Sequence, residues 1–302
     1  LEEGRRNLET VPEYADSIAA HLRPLAKPPV FVKRENAHFW MRMLFSCLVD
    51  ADRLDTERFC DPAKFDSRGQ YPTLGNLAPS LFQWLEGLEQ RAAPTEVNRI
   101  RAEVRRACEL AAQEEPGLFS LTVPTGGGKT LSAMAFALRH ALQHGKQRII
   151  YVIPYTSIIE QTAKILGEIF GPENIVEHHS NLNPERVSPR AEMAAENWDA
   201  PIIVTTSIQF FESLYAARTG AARKLHNVVN SVVIMDEAQL LPPELLTPCV
   251  DAVNVLVSCF GTTVVLATAP QPALPKLLPV QEIIPAGLDL YARLRRTEIK
   301  LP

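Results

Sequence analysis

Apolar residues recur along the chain in two rhythms. Up to about Cys60 the spacing is helical only: Phe39, Met43, Leu44, Cys47 and Leu48 fall three or four residues apart, and no alternating stretch interrupts them. From Asp61 to Thr95 the pattern is broken by Pro62, Gly69, Pro72, Gly75, Pro79 and Pro94. That density of turn formers predicts a linker with one short helix at about Leu81–Leu88. After Glu96 a basic helix (Val97–Ala112) leads into short apolar runs that alternate with amphipathic ones. The runs predict strands at Phe119–Val123, Ile149–Ile153, Ile202–Thr205, Val232–Met235 and Val264–Ala267. Helices are predicted between them at about Thr130–Gln143, Ser157–Ile169, Gln209–Ala217 and Pro243–Cys259.

Apolar β-rich runs alternating with helices are the signature of a parallel sheet covered by helices on both faces. The expected fold is therefore α/β, preceded by an all-α segment. The expected division is a helical part at 1–60, a linker at 61–95 and an α/β domain at 96–302. Ligands of such sheets bind beyond the carboxyl ends of the strands, so the residues following each strand are the ones that carry candidate chemistry.

Composition adds limits. Of 302 residues, 46% are apolar and 22% charged, an ordinary globular balance, and a formal charge of −4 gives no global field for a nucleic acid. A strand-tracking groove needs only local charge and backbone donors, so this does not exclude one. Five scattered cysteines with no C-x-x-C pair argue against a disulfide framework or a cysteine-rich zinc site and predict a reducing, cytoplasmic setting. No apolar run approaches a membrane span. The chain opens on Leu1 in what reads as mid-helix sequence, so a fragment of a longer protein is expected.

The first predicted strand runs into Pro124-Thr125-Gly126-Gly127-Gly128-Lys129-Thr130 and then a helix. Glycines let such a loop wrap phosphates with inward backbone N–H groups, and the following helix start adds its dipole. Lys129 would reach the β- and γ-phosphates of ATP, and the Thr130 hydroxyl would ligate Mg²⁺. The strict phosphate-loop pattern has glycine where this chain has Val123, and the helicase variant of the loop relaxes that position. A ligand-free glycine turn is the plainer alternative, which the strand before and helix after make poor.

About a hundred residues on, Val232-Val233-Ile234-Met235 ends in Asp236-Glu237-Ala238-Gln239. Asp236 would hold Mg²⁺ through water, Glu237 would orient or deprotonate the attacking water, and Gln239 would relay phosphate state. An isolated Asp-Glu pair is usually a solvated cap, but paired with the glycine loop it reads as the second half of a nucleotide site.

Other strand ends separate a helicase from other phosphate-loop enzymes. Pro154-Tyr155-Thr156-Ser157 with Gln161, and Thr205-Thr206-Ser207 with Gln209, place hydroxyls and helix-start N–H groups where sequence-independent phosphate contacts belong. Singly, each is equally a helix cap. Ala267-Thr268-Ala269 matches the motif that couples the triphosphate to strand movement, with Thr268 and Ala269 as coupling residues. Pro270 then replaces the usual hydroxyl and removes an N–H.

With these motifs the chain resembles the CRISPR-associated helicase–nuclease of type I systems. The resemblance rests on Leu121–Ser132, Ile149–Ala163, Glu177-His178-His179-Ser180, Asp236–Gln239 and Gln271-Pro272-Ala273-Leu274, and covers most of 97–302. It implies a RecA-like, phosphate-loop domain of a superfamily-two helicase. It also implies ATP and Mg²⁺ as cofactors, single-stranded DNA as the track, and recruitment by the Cascade-type RNA-guided surveillance complex. In that family a metal-dependent HD nuclease domain precedes two RecA-like domains, so residues 1–60 would be its last helices and the second RecA-like domain would be missing.

Leu44–Asp55 resembles the helix carrying the last HD metal ligand, which maps to Asp52, for a divalent transition metal in the complete protein. Read alone, Asp52 is an ordinary solvated aspartate. The chain has no His-Asp pair, so it is not expected to be a nuclease by itself. Without arginines from a second domain it is expected to hydrolyse ATP slowly.

His178 and His179 read as a surface turn, Trp40 and Trp84 as packing residues, and Arg99, Arg101, Arg105 and Arg106 as a solvated face, with Arg101 a candidate adenine reader. The competing readings are another superfamily-two DNA or RNA helicase, or a truncated ATP-binding adaptor without catalysis.

Overall fold

A computed structural model describes residues 30–180, 188–268 and 278–294. It divides into two units, Leu1–Trp40 and Met41–Pro302. In the first, Asn36 ends a turn, its amide accepting from Lys33 N at 2.7 Å and donating to Phe31 O at 2.8 Å. There the first long helix begins.

The described helices are α1 (Ala37–Cys60), α2 (Pro62–Asp66), α3 (Leu74–Arg91), α4 (Glu96–Ala111), α5 (Lys129–His144), α6 (Thr156–Phe170), α7 (Pro189–Asn197), α8 (Ser207–Tyr215), α9 (Thr219–Ala222), α10 (Leu246–Cys259) and α11 (Leu290–Arg293). The strands are β1 (Leu118–Thr122), β2 (Arg148–Ile153), β3 (Ile175–His178), β4 (Ile202–Thr206), β5 (Ser231–Asp236), β6 (Thr263–Thr268) and β7 (Gln281–Glu282). They form one sheet in the order β3-β4-β2-β5-β6-β1-β7, every pair parallel.

The strands are buried on both faces, as their unbroken apolar runs require. Alternate residues (Phe119, Leu121, Ile149, Tyr151, Ile153, Val232, Ile234, Val265) join one core with α3, α4, α5 and α6. The intervening residues face α8 and α10 on the other side. The α/β expectation is met, and the RecA-like order sends the loops after β1, β5 and β6 to one edge.

The helix expected at Leu81–Leu88 runs instead from Leu74 to Arg91. Thr73 and Asn76 cap its start reciprocally, and Leu74, Leu77, Ala78, Leu81 and Leu85 bury one face. That burial outweighs Pro79 inside the helix, which on its own costs about 3 kcal/mol. Strands β3 and β7 and helix α7 were not anticipated. β3 is four residues long, and β7 is two residues pinned through Glu282, which accepts from Ser120 Oγ, Thr122 Oγ1 and Thr122 N. A length of two to four residues gives periodicity nothing to register.

The surface-turn reading of His178 and His179 is overturned. His178 ends β3 and takes a hydrogen bond from the buried Trp198 Nε1 at 3.1 Å, and His179 is buried. Trp84 packs on the main core, as expected. Ala269, Pro270, the Gln271–Leu274 match and the helical reading of residues 1–29 lie outside the described residues. No helix among those described is long and apolar enough to cross a membrane.

Candidate nucleotide-binding site

The glycine loop leaves β1 in a conformation that only glycine tolerates. Gly126 and Gly128 sit at φ 88° and 84°. A Cβ on Gly127 would come within 2.5 Å of Val123 Cγ1 and 3.1 Å of Pro124 O. Val123 thus fills the space beneath the loop, which explains why this position is free not to be glycine. Gly128 is the N-cap of α5, so Lys129 and Thr130 occupy the first helical turn and the free N–H groups open toward the loop. Thr125 is exposed, and Pro124 is half-buried beneath it.

On the other side of β6, β5 delivers Asp236 and Glu237. Register pairs Asp236 with Ala267 on β6 and Thr122 on β1 with Thr268, so the two halves of the site stand two strands apart at the same level. Lys129 spans the gap. Its ammonium lies 3.0 Å from Asp236 Oδ1 and bonds Glu237 Oε1. Burial opposes the charge, but the two carboxylates outweigh it and raise the pKa of Lys129. Burial raises that of Asp236, with Lys129 opposing, whereas for Glu237 the bonds from Lys129 and Gln239 win over burial and lower it.

Glu237 takes left-handed backbone angles (φ 49°, ψ 46°), a conformation that costs on the order of 1–3 kcal/mol for a non-glycine residue. Its N–H donates to Ala267 O at 2.8 Å, which locks the turn against β6. Gln239 Nε2 donates to Glu237 Oε2 at 2.5 Å. Gln239 Oε1 and Thr268 Oγ1 are both buried without a hydrogen-bond partner. Such orphaned polar atoms at the strand ends point to a ligand or a moving element.

Tyr151 was missed. Its side chain is wholly buried on β2, and its hydroxyl lies 3.3 Å from Asp236 Oδ2 and in hydrogen-bond contact with Thr130. It thereby ties together the two oxygen groups suited to Mg²⁺. Burial and the Asp236 charge push its pKa far up, so it stays a neutral hydroxyl. The available signal was one hydroxyl in the otherwise aliphatic run Ile149-Ile150-Tyr151-Val152-Ile153. Arg101 also belongs here: its Nε donates to Gly126 O at 2.9 Å, and its stem packs where a Gly128 Cβ would point.

The donors present fit a magnesium–triphosphate group: an anion-cradling loop, one ammonium, and hard oxygen donors at Thr130 and Asp236.

The residues expected on nucleic acid lie along the same edge. Tyr155 is 53% exposed at the N-cap of α6, Gln161 is exposed one turn on, and Pro154 is half-buried before them. Ser157 lies in the first turn of α6. Thr206 caps α8 by accepting from Gln209 N at 3.0 Å, and Ser207 opens that helix. Thr205 is buried, its hydroxyl donating to His178 O at 2.8 Å. The Thr205 and Thr206 hydroxyls therefore have structural partners, while Tyr155 and Gln161 present exposed side chains.

Asp52 is exposed on α1, and the described residues hold no group of three or more His, Cys, Asp or Glu arranged for a metal ion. Its neighbour Asp50 is the buried acid. It accepts from Arg223 Nε at 2.7 Å and Asn197 Nδ2 at 3.0 Å, and so ties α1 to α7 and the segment after α9.

The DEAD/DEAH box helicase family model matches residues 105–272. The CRISPR-associated nuclease/helicase Cas3 of Haloferax volcanii is 28% identical over 246 residues, covering 70% of this chain and 26% of that protein. The chain thus spans about a quarter of the length of this curated relative. The crystal structure of T. fusca Cas3 is 20% identical with a TM-score of 0.50, covering 67% of this chain and 22% of that one. T. fusca Cas3-AMPPNP gives 21% and 0.50, over 68% and 23%. The structural likeness confirms the RecA-like sheet with its flanking helices.

Proposed function

We propose, from the premise that the chain belongs to the DEAD/DEAH box helicase family, that it binds ATP with Mg²⁺ and forms the nucleotide half-site of a motor moving on single-stranded DNA. The observation that carries this is Lys129 held between Asp236 and Glu237 at the mouth of a three-glycine loop. When bound, the magnesium–ATP group supplies the phosphoanhydride to be cleaved and the cation that neutralises its oxygens.

The chain's own residues do the rest. The Gly126–Gly128 backbone and the α5 N-terminus receive the phosphates, and Lys129 shares its charge with the terminal ones. Thr130 and Asp236, spaced by Tyr151, present oxygens to the cation. Glu237, kept ionised by Lys129 and Gln239, accepts a hydrogen bond from water and orients it. Gln239 and Thr268, with buried orphaned oxygens on either side of the strand-end turn, are placed to report the site's state to the bound strand, which would lie over Tyr155, Ser157, Gln161 and Thr205–Ser207.

Similarity to the nuclease/helicase Cas3 supports a wider reading, in which a longer protein is recruited by a Cascade-type surveillance complex and degrades the strand it moves along. There Asp52 would serve a divalent transition metal in an HD nuclease site with ligands from elsewhere. The test is ATP turnover with no nucleic acid, with single-stranded DNA and with RNA, for this chain and for the longer protein, beside Lys129→Ala. DNA-stimulated turnover abolished by Lys129→Ala is expected. ATP binding without turnover under every condition would replace the motor with an adaptor, and preference for RNA would replace the DNA track.

A further inference from the structure

Lys224 lies between α9 and the turn at Leu225–Val228 and is 6% exposed. Its ammonium has no hydrogen-bond or ion-pair partner among the described residues. Burial of the side chain together with the neighbouring Arg223 pulls its pKa down to about 8, with Glu196 opposing. Glu196 is already engaged by Arg68 and Arg223, and Arg223 by Asp50 and Glu196.

Lys224 opens on a pocket of about 320 Å³ that it lines with Arg53, His178, Arg223, Glu192 and Glu196. Among the described residues Arg53 has no carboxylate partner and donates only to Thr219 Oγ1, at 3.2 Å. His178 accepts from Trp198 at Nδ1, so its proton sits on Nε2. Burial foremost, with Lys224 and His179, lowers its pKa to about 3 and keeps it a neutral donor. The pocket thus offers an ammonium and an imidazole N–H with no acceptor among the described residues, and a guanidinium bonded only to Thr219 Oγ1, against the exposed Glu192 and the already engaged Glu196.

We propose that Lys224, Arg53 and the His178 Nε2–H form a phosphate-type anion site whose ligand is a backbone phosphate of a single strand passing Thr205–Ser207. Position favours the strand over free phosphate. His178 is the register partner of Thr205 and is bonded to its hydroxyl through the backbone. His178, at the edge of the pocket, is therefore one strand spacing, about 5 Å, from the segment expected to touch the strand. The identity of the ligand rests on the strand-binding reading, while the anion site does not.

Two measurements separate them. The first is titration of a fluorescein-labelled oligothymidylate at increasing KCl. Lys224→Gln should weaken binding about 5- to 10-fold at low salt and reduce the salt slope by about one phosphate. Glu192→Gln, which removes the facing carboxylate, should tighten it. The second is the Tm in inorganic phosphate, expected to rise for the unaltered chain and not for Lys224→Gln. Lys224→Met, which removes the unpaired charge, should fold with a raised Tm and show neither response.

If the unaltered chain ignores the oligonucleotide but phosphate stabilises it through Lys224, the strand is overturned as ligand and free phosphate takes its place. The same follows if Lys224→Gln binds the oligonucleotide with unchanged affinity and slope while losing the phosphate effect. Unchanged affinity, slope and phosphate response in Lys224→Gln would overturn the site altogether.

Discussion

The ammonium of Lys129, at the first position of α5, lies 3.0 Å from the carboxylate of Asp236, at the last position of β5, with β6 standing between the strands that deliver them. One side chain thus closes the site across the sheet, and it governs how both acids titrate. In Lys129→Ala, Asp236 loses the charge that opposes its burial, so its folded pKa rises further above the unfolded value. A folded carboxylate with a raised pKa binds protons more tightly than the unfolded chain does, so stability falls as pH rises through that interval. Lys129→Ala should therefore cost more at pH 8, about 1–3 kcal/mol, than at pH 5. Urea unfolding at both pH values checks this, and an equal or larger loss at pH 5 would contradict it.

Tyr151→Phe removes one hydroxyl between Thr130 and Asp236 and leaves the ring packed. The loss should fall on magnesium-assisted binding: a fluorescent ATP analogue should bind about fivefold more weakly with Mg²⁺, from a hydrogen bond worth about 1 kcal/mol, and unchanged in EDTA. A purely structural tyrosine would move both affinities together.

The parts of this site that were legible in the sequence are those written as contiguous words. Pro124–Thr130 and Asp236–Gln239 each follow a run of apolar residues long enough to be a strand, so their place at strand ends could be read directly. Tyr151 and Lys224 could not, because their roles depend on which distant residues stand beside them. Tyr151 matters through Thr130 and Asp236, and Lys224 because its neighbouring acid, Glu196, is already engaged by Arg68 and Arg223. The His178-His179 pair misled for a related reason: two polar residues look solvated until Trp198, twenty positions from His178, is known to pack on its ring. Asp50 and Asp52 are equivalent in composition, and only the packing of α1 tells the buried acid from the exposed one.

The glycine loop should respond to volume in a way that Val123 controls. Gly127→Ala would place a Cβ 2.5 Å from Val123 Cγ1, and overpacking of this kind costs about 1–3 kcal/mol, enough for a fivefold or greater loss of ATP affinity. Val123→Ala removes the nearest methyl, so the double variant should recover part of the loss, limited by the Pro124 carbonyl at 3.1 Å. Calorimetric titration of the two single variants and the double variant tests the coupling. Strict additivity would mean that Val123 does not set the loop's space.

Acid should destabilise the domain through its buried histidines. His140 stacks on Phe136 and is wholly buried, with Nδ1 3.0 Å from Ala112 O and Nε2 2.9 Å from Thr263 Oγ1. The neutral ring satisfies both, donating from Nδ1 and accepting at Nε2. Burial foremost, with His144 and Lys146, lowers its pKa from 6.5 to about 4. The unfolded chain then binds more protons across that window, so stability falls as pH drops from 6.5 to about 4 and levels below it, by about 1.4 kcal/mol per pH unit at most for this group. His140→Gln should flatten the slope of stability against pH there, whatever it does to stability at pH 8. A slope equal to that of the unaltered chain would assign the acid sensitivity elsewhere.

The two aspartates of α1 should separate cleanly by measurement. Asp50 is buried, with Arg223 Nε at 2.7 Å and Asn197 Nδ2 at 3.0 Å, while Asp52 is exposed. Removing one partner of a buried ion pair strands the other, so Asp50→Ala should cost about 3–5 kcal/mol and loosen α1 from α7. Hydrogen exchange would show this as lost protection along α1. Asp52→Ala should stay within about 0.5 kcal/mol, as surface changes do. If the chain serves the longer nuclease proposed above, the order should invert for chemistry there: Asp52→Ala should abolish metal-dependent DNA cleavage while leaving the fold intact. If Asp52→Ala leaves cleavage unchanged there, its place in a metal site is wrong. If it destabilises this chain as much as Asp50→Ala, the face of α1 that meets α7 and Arg223 has been misassigned.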